Sequence, residues 1–146
     1  MQLTSAPRVP RRWNVEVDGI KWLPRLCDKA RMSRAGTLGT YLVGHSPVDF
    51  ALLTRLGITT DEFVEIANTL PDDTSVLSAL RARGFDEARV RRWSERFESS
   101  YRVYIPLWDI DEGYVKPNAF VRTLLPLAHA IEGPAMSLLR KVRTRP

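Results

Sequence analysis

The chain has 146 residues, 44% hydrophobic and 27% charged, proportions that suit one soluble globular domain able to bury a core without covalent staples. Its single cysteine, Cys27, excludes an internal disulfide, and Met1 to Arg12 carries arginines and prolines but no apolar run of the secretory kind. The formal net charge of +5 alternates along the chain: +5 over residues 1–34, −5 over 35–80, +3 over 81–104, −2 over 105–117 and +4 over 118–146. Alternation of this kind argues against the single basic stripe that neutralises a nucleic-acid backbone. The most apolar region, Phe120 to Leu139, includes Arg122, His129, Glu132 and two prolines, whereas a spanning helix needs about 20 mostly apolar residues. A cytoplasmic, soluble protein is the expectation.

Residues 1–19 read as an extended arm. Pro7 and Pro10 favour extended backbone, Trp13-Asn14-Val15-Glu16-Val17 alternates briefly, and Asp18-Gly19 is a turn signal. Trp13 is expected to anchor the arm by burying its ring. A helical core domain follows over residues 20–116. Its first helix starts near Leu23 with Pro24 in the first turn and ends at Gly36. Leu23, Leu26, Cys27 and Ala30 define its buried face, with Arg25, Asp28 and Met32 roughly opposite and Lys29 and Arg31 on the flanks.

Ser46-Pro47-Val48-Asp49 opens the next helix as cap, first-turn proline and dipole-complementing carboxylate, and Gly57 stops it. Thr59 with Glu62 has the capping-box spacing for a third helix. Asp72 or Asp73 caps a fourth, closed by Gly84. Asp86 caps a longer fifth helix carrying Val90, Trp93, Phe97, Tyr101 and Tyr104 at helical spacing, which Pro106 ends. Trp108 to Gly113 reads as an acidic turn. Residues 117–146 form a C-terminal extension, helical from about Asn118 to Ala130, interrupted at Gly133-Pro134, and basic at its end. With no hairpin signal among these segments, the fold class is all-α: a compact bundle of six or seven short helices with an extended N-terminal arm.

The segment from Trp22 to Tyr41 carries the densest chemistry. Arg25 and Lys29 are like charges four apart on one helix, which disfavours the helix slightly, so a buried or ligand-facing role accounts for them better than helix stability does. Asp28 and Arg31 are spaced to pair with one another. Gly36-Thr37-Leu38-Gly39 lacks the length and lysine of a nucleotide P-loop, but it permits close backbone approach, and Thr37, Thr40 and Tyr41 add hydroxyls beside the cations. The expected ligand-binding residues are therefore Arg25, Lys29, Arg31 and Thr37, with Trp93 supplying an apolar wall. Asp28, Tyr41 and His45 are the candidates for moving a proton. Cys27, on the inner face, reads as a small hydrophobe in preference to a nucleophile. His45, His129 and Cys27 have no metal-ligand spacing, and Asp109, Asp111 and Glu112 lack a calcium-loop pattern, so neither metal nor cofactor is expected.

Several of these motifs carry a family resemblance. Pro7-Arg8-Val9-Pro10-Arg11, Leu23-Pro24-Arg25 with Asp28-Lys29 and Arg31, Gly36-Thr37-Leu38-Gly39 with Tyr41, Leu56-Gly57-Ile58 with Phe63, then Trp93 and Asp111-Glu112-Gly113 together resemble the bacterial domain-of-unknown-function family 5069. The resemblance spans about residues 6–114, and it implies a small helical domain without bringing a reaction or a cofactor.

The functional expectation is a pocket for an anionic small molecule between the first helix and the Gly36–Tyr41 turn. An enzyme built on it would be a cofactor-independent isomerase, lyase or cyclase in a biosynthetic pathway. The alternative is a non-catalytic interaction module whose amphipathic face, Phe120 to Ile131 within residues 118–140, docks on a protein partner or on another copy of the chain.

Overall fold

The computed structural model of the protein describes residues 9–116, so the expected helices and interaction face beyond Lys116, His129 included, lie outside the described residues. The chain divides into two compact units, residues 1–100 and 101–146. Seven helices and one small hairpin occur among the described residues, and a mostly helical fold is what the sequence pattern implies.

The first unit opens with the arm and a two-residue-per-strand hairpin, β1 (Glu16–Val17) and β2 (Ile20–Lys21), paired antiparallel with Glu16 opposite Lys21. This hairpin departs from the expectation of no paired strands. Asp18 at φ 46° and Gly19 at φ 77° form the two positive-φ corner positions that a tight hairpin turn demands, and two residues per strand are too few to mark a strand pair in the sequence. Buried Ser94 holds the hairpin in place: its hydroxyl accepts the Lys21 N–H at 2.8 Å and donates to the Gly19 carbonyl at 2.9 Å.

Helices α1 (Leu23–Ala35), α2 (Pro47–Leu56), α3 (Thr60–Thr69) and α4 (Asp73–Arg83) follow at the expected boundaries, and α5 (Glu87–Glu95) starts where expected but ends sooner. Gly36 and Gly57 close α1 and α2 in the left-handed conformation, Ser46 caps α2, Thr59 and Glu62 form a complete capping box on α3, and Asp72, not Asp73, caps α4. The core runs between α1 and its neighbours through Leu23, Leu26, Ala30, Leu52, Leu56, Phe63, Ala67, Leu77 and Leu80. Helix α1 is buried almost all round: Leu23 to Ala30 and Met32 are all buried, so Arg25, Asp28 and Met32 do not form an exposed face opposite Leu23 and Leu26.

The aromatic stripe differs from its expected form. Helix α5 ends at Glu95 and α6 (Phe97–Ser100) is a single turn, so Trp93 and Phe97 do not share one long helix with Tyr101 and Tyr104. Ser99 donates its hydroxyl to the Arg96 carbonyl at 3.0 Å, the local backbone competition that makes serine a poor helix interior residue. Phe97 is fully buried and gathers three tryptophans, stacked with Trp13 at 5.7 Å and Trp22 at 5.5 Å and edge-on to Trp93 at 5.3 Å between centroids. Trp13 thus anchors the arm as expected. Truncating a buried phenylalanine typically costs about 3–5 kcal/mol, which sets the scale of this hub.

In the second unit Pro106 begins a helix instead of ending one. Helix α7 (Ile105–Asp111) carries the proline in its first turn, where a missing N–H costs nothing, and the segment expected as an acidic turn supplies its last residues. Tyr104 stacks on Trp108 at 6.2 Å.

The α3 capping box makes stability respond to acid. Hydrogen bonds from the Thr59 N–H and hydroxyl hold the Glu62 carboxyl below its usual range, with Arg83 adding to the effect. A carboxyl depressed in the folded state adds stability above its unfolded pKa, about 4.3, and that increment is lost as pH falls through the folded value. Urea midpoints of the native protein and Glu62→Gln should therefore differ at pH 6 and converge as the pH is taken below about 4. An unchanged difference across that range would remove the capping carboxylate as its source.

Candidate functional site

Asp49 lies at the most unusual position in the first unit. It sits in the first turn of α2, is 0% exposed, and is surrounded by donors from three other segments. Lys29 on α1 reaches both of its oxygens at 2.6 Å, the Trp22 indole N–H donates to Oδ1 at 2.7 Å, and the Gly44 backbone N–H donates to Oδ2 at 2.9 Å. Lys29 is itself buried and lies 5.4 Å from the centroid of the Trp22 ring. Two residues pay in conformation for this arrangement. Trp22 adopts φ 69° just before α1, a left-handed state that costs a bulky residue about 1–3 kcal/mol. Gly44 also has positive φ, and a Cβ there would collide with the Thr60 side chain, so only glycine fits.

Asp28 belongs to a second network. Its carboxylate accepts from the Arg11 backbone N–H and Nε at 2.8 Å and from Arg11 Nη2 at 2.9 Å. Arg11 also pairs with Asp73 at 2.6 Å, and Arg31 joins Asp73 at 3.1 Å and the Ala67 carbonyl at 3.1 Å. Arg25 donates to the Arg11 carbonyl at 2.9 Å and lies over the rings of Trp22 and Tyr41, 5.0 and 5.7 Å from their centroids. The network binds the arm to α1 and α4.

The structure thus brings Arg25 to Tyr41, and Asp28 to within 3.9 Å of Arg31. It sends Lys29 to a different partner, Asp49. The four α1 charges expected at a site are engaged with the protein itself: Arg25, Asp28 and Lys29 are each 5% exposed or less, and half-buried Arg31 pairs with Asp73. Thr37 and His45 are exposed and belong to neither network; the Thr37 N–H closes α1 on the Met32 carbonyl at 2.9 Å. Cys27 is fully buried, and burial pushes its thiol up, with the Asp73 carboxylate adding to the shift.

Trp93 leads elsewhere. It forms part of a shallow concavity of about 280 Å³ lined by Arg55, Arg89, Arg92, Trp93, Arg96 and Ser100. Arg89, Arg92 and Arg96 stand at i, i+3 and i+7 along one side of α5 and its end, all exposed. Arg55, in the last turn of α2, is half-buried; it donates to the Ala51 carbonyl at 2.8 Å and lies 5.8 Å from the Trp93 ring centroid. Half of the described arginines of the first unit, Arg11, Arg31, Arg34, Arg81, Arg83 and Arg91, pair with carboxylates. Arg89, Arg92 and Arg96 pair with none among the described residues, although Glu95 is exposed on the same helix.

The sequence signal for this cluster is the one that draws attention to Arg25 and Lys29. Arg92 and Arg96 are like charges four apart, and Arg89 and Arg92 are three apart, each pair costing about 0.2–0.5 kcal/mol. Cations in the last turn of α5 suit the helix dipole, but Arg89 sits in the first turn, where they do not. What spacing does not show is that Arg55 joins them from another helix. The Asp49 centre had no sequence signal beyond a first-turn acid, because its donors come from residues 22, 29 and 44.

Fold and site together define a small helical domain with its first-helix charges internally paired and an arginine-lined concavity on α5. The chain belongs to the domain-of-unknown-function family DUF5069, whose match covers residues 5–112. Neither the curated proteins nor the solved structures yield a match to this chain.

Two consequences follow for the buried groups. Lys29→Met leaves Asp49 charged and without its cation, which should lower unfolding free energy by roughly 3–5 kcal/mol in urea titrations at pH 7. A loss below about 1 kcal/mol would show that solvent reaches Asp49 after all. The Cys27 thiol should stay unreactive towards a disulfide reagent in the folded protein and react at once in denaturant; rapid labelling of native protein would contradict its burial.

Proposed function

We propose that the protein binds an anionic small molecule, and that the binding groups are the guanidinium ions of Arg55, Arg89, Arg92 and Arg96 around Trp93. The observation that carries this reading is the set of three exposed arginines without carboxylate partners, gathered beside a fourth that is already anchored. A cluster of like charges that helix stability does not account for is the sort of local inconsistency that marks a functional surface. Guanidinium forks suit carboxylate and phosphate oxygens, and a buried aromatic wall lowers the local dielectric in which they act. The α1 segment contributes to this reading as scaffold. Lys29 and Asp49 hold α2, which presents Arg55, and Ser94 ties the hairpin to α5, which presents the rest.

The reading concerns binding. Asp28, Tyr41 and His45 are not among the residues lining the concavity, and no proton-transfer role is assigned to them.

A thermal-shift screen against multivalent inorganic and organic anions at constant ionic strength tests the proposal. At least one anion should raise the unfolding midpoint, and Arg92→Glu/Arg96→Glu should abolish the rise while leaving the anion-free midpoint within a few degrees of the parent. No response from any anion, or a response that survives the double substitution, would overturn it.

A further inference from the structure

Resting on that reading, we infer that the anion is a polyphosphoryl group, free or at the end of a larger molecule, and not a carboxylate. The first argument is donor arithmetic. Each arginine offers up to five N–H donors in a planar fork, and Arg55 spends one of them on the Ala51 carbonyl. A single carboxylate has two oxygens and one charge, so it would leave most of four clustered guanidinium ions facing each other uncompensated. A phosphoryl group presents three strong acceptor oxygens and about two negative charges, and two linked groups present enough of both to engage all four arginines.

The second argument is shape. The concavity of about 280 Å³ is slightly smaller than the roughly 300–1,000 Å³ that encloses a whole small ligand. It accommodates the charged end of a molecule and leaves the remainder outside. Arg89, Arg92 and Arg96 rise along about 10 Å of helix, from the rise of 1.5 Å per residue, so their forks line an edge longer than one phosphoryl group.

The third is pre-organisation. Arg55 is fixed before any ligand arrives, by its bond to Ala51 and by the Trp93 ring, and Ser100 places a hydroxyl at the same concavity. A held guanidinium loses little freedom on binding, and a hydroxyl adds a neutral donor that a phosphoryl oxygen readily accepts.

Isothermal titration with inorganic pyrophosphate and with citrate, in metal-free buffer at matched ionic strength, tests the inference on the full-length protein. Pyrophosphate should bind at least about tenfold more tightly than citrate. Arg92→Lys, which keeps the charge but loses the fork, should weaken it about tenfold. Arg92→Glu/Arg96→Glu should abolish it, with Arg89→Gln/Arg96→Gln as a second variant should the reversal of charge disturb folding, monitored by circular dichroism. Equal binding of citrate and pyrophosphate, both lost in the arginine variants, would overturn the phosphoryl assignment and leave the anion site standing. So would pyrophosphate binding indifferent to Arg92→Lys. Absence of binding by either anion, or binding that ignores both double variants, would overturn the anion site itself.

Discussion

The first unit is organised by one buried carboxylate. Asp49 has no access to water, so its charge is tolerable only if the protein supplies the hydrogen bonds that water would have made. It does so from three places at once: the α1 ammonium of Lys29, the indole of Trp22 at the mouth of that helix, and the backbone of Gly44 in the loop before α2. Each donor dictates local structure in turn. Trp22 accepts a left-handed backbone to aim its N–H, Gly44 must lack a Cβ, and Lys29 must extend beneath the tryptophan ring. A buried ion pair is weak evidence of net stability, since an apolar pair of similar volume often serves as well. What it does supply is an orientation: α1 and α2 fit together in the one way that satisfies every donor.

The same logic extends to the arm. Arg11 lies between Asp28 and Asp73 while its own carbonyl accepts from Arg25, so a segment with no secondary structure of its own is tied to two helices by charge-assisted bonds. Ion pairs on an open surface contribute little, about 0–1 kcal/mol, but Asp28 is nearly inaccessible and removing Arg11 would leave its charge without its closest partner. Trp13 adds an apolar anchor through Phe97. Polar and aromatic fastenings therefore act two residues apart on the arm.

Much of the helical layout is legible in the sequence because capping is local. Ser46, Thr59 with Glu62, Asp86, Gly36 and Gly57 announce their boundaries within four residues, and backbone chemistry at that range does not depend on tertiary context. The misreadings share the opposite cause. Pro106 opens a helix or ends one according to what precedes it, and the stripe from Trp93 to Tyr104 keeps helical spacing although α5 ends at Glu95 and α6 at Ser100. The α1 charges were identifiable as anomalous, but their partners lie 17 and 20 residues away, so a mutual cavity and separate internal pairs leave the same mark on the sequence.

That ambiguity bears on where function resides. Like charges spaced along a helix signal only that something outside the helix compensates them. For Arg25 and Lys29 the compensation is internal: a carbonyl and two aromatic rings for one, a buried carboxylate for the other. For Arg89, Arg92 and Arg96 no carboxylate among the described residues plays that part, which leaves their screening to water there. Water does so adequately at an exposed site, which is why a solvated basic face is stable without a ligand. It does so less well beside a tryptophan and a guanidinium already fixed in place, because those groups exclude part of the solvent that would otherwise spread the charge. A multivalent anion bound as proposed would replace many weakly ordered waters with a few directed bonds. Once the internal pairs have engaged the charges of α1, the arginines left without a described carboxylate partner stand on α5 and its end, held in position by a core that the first helix completes.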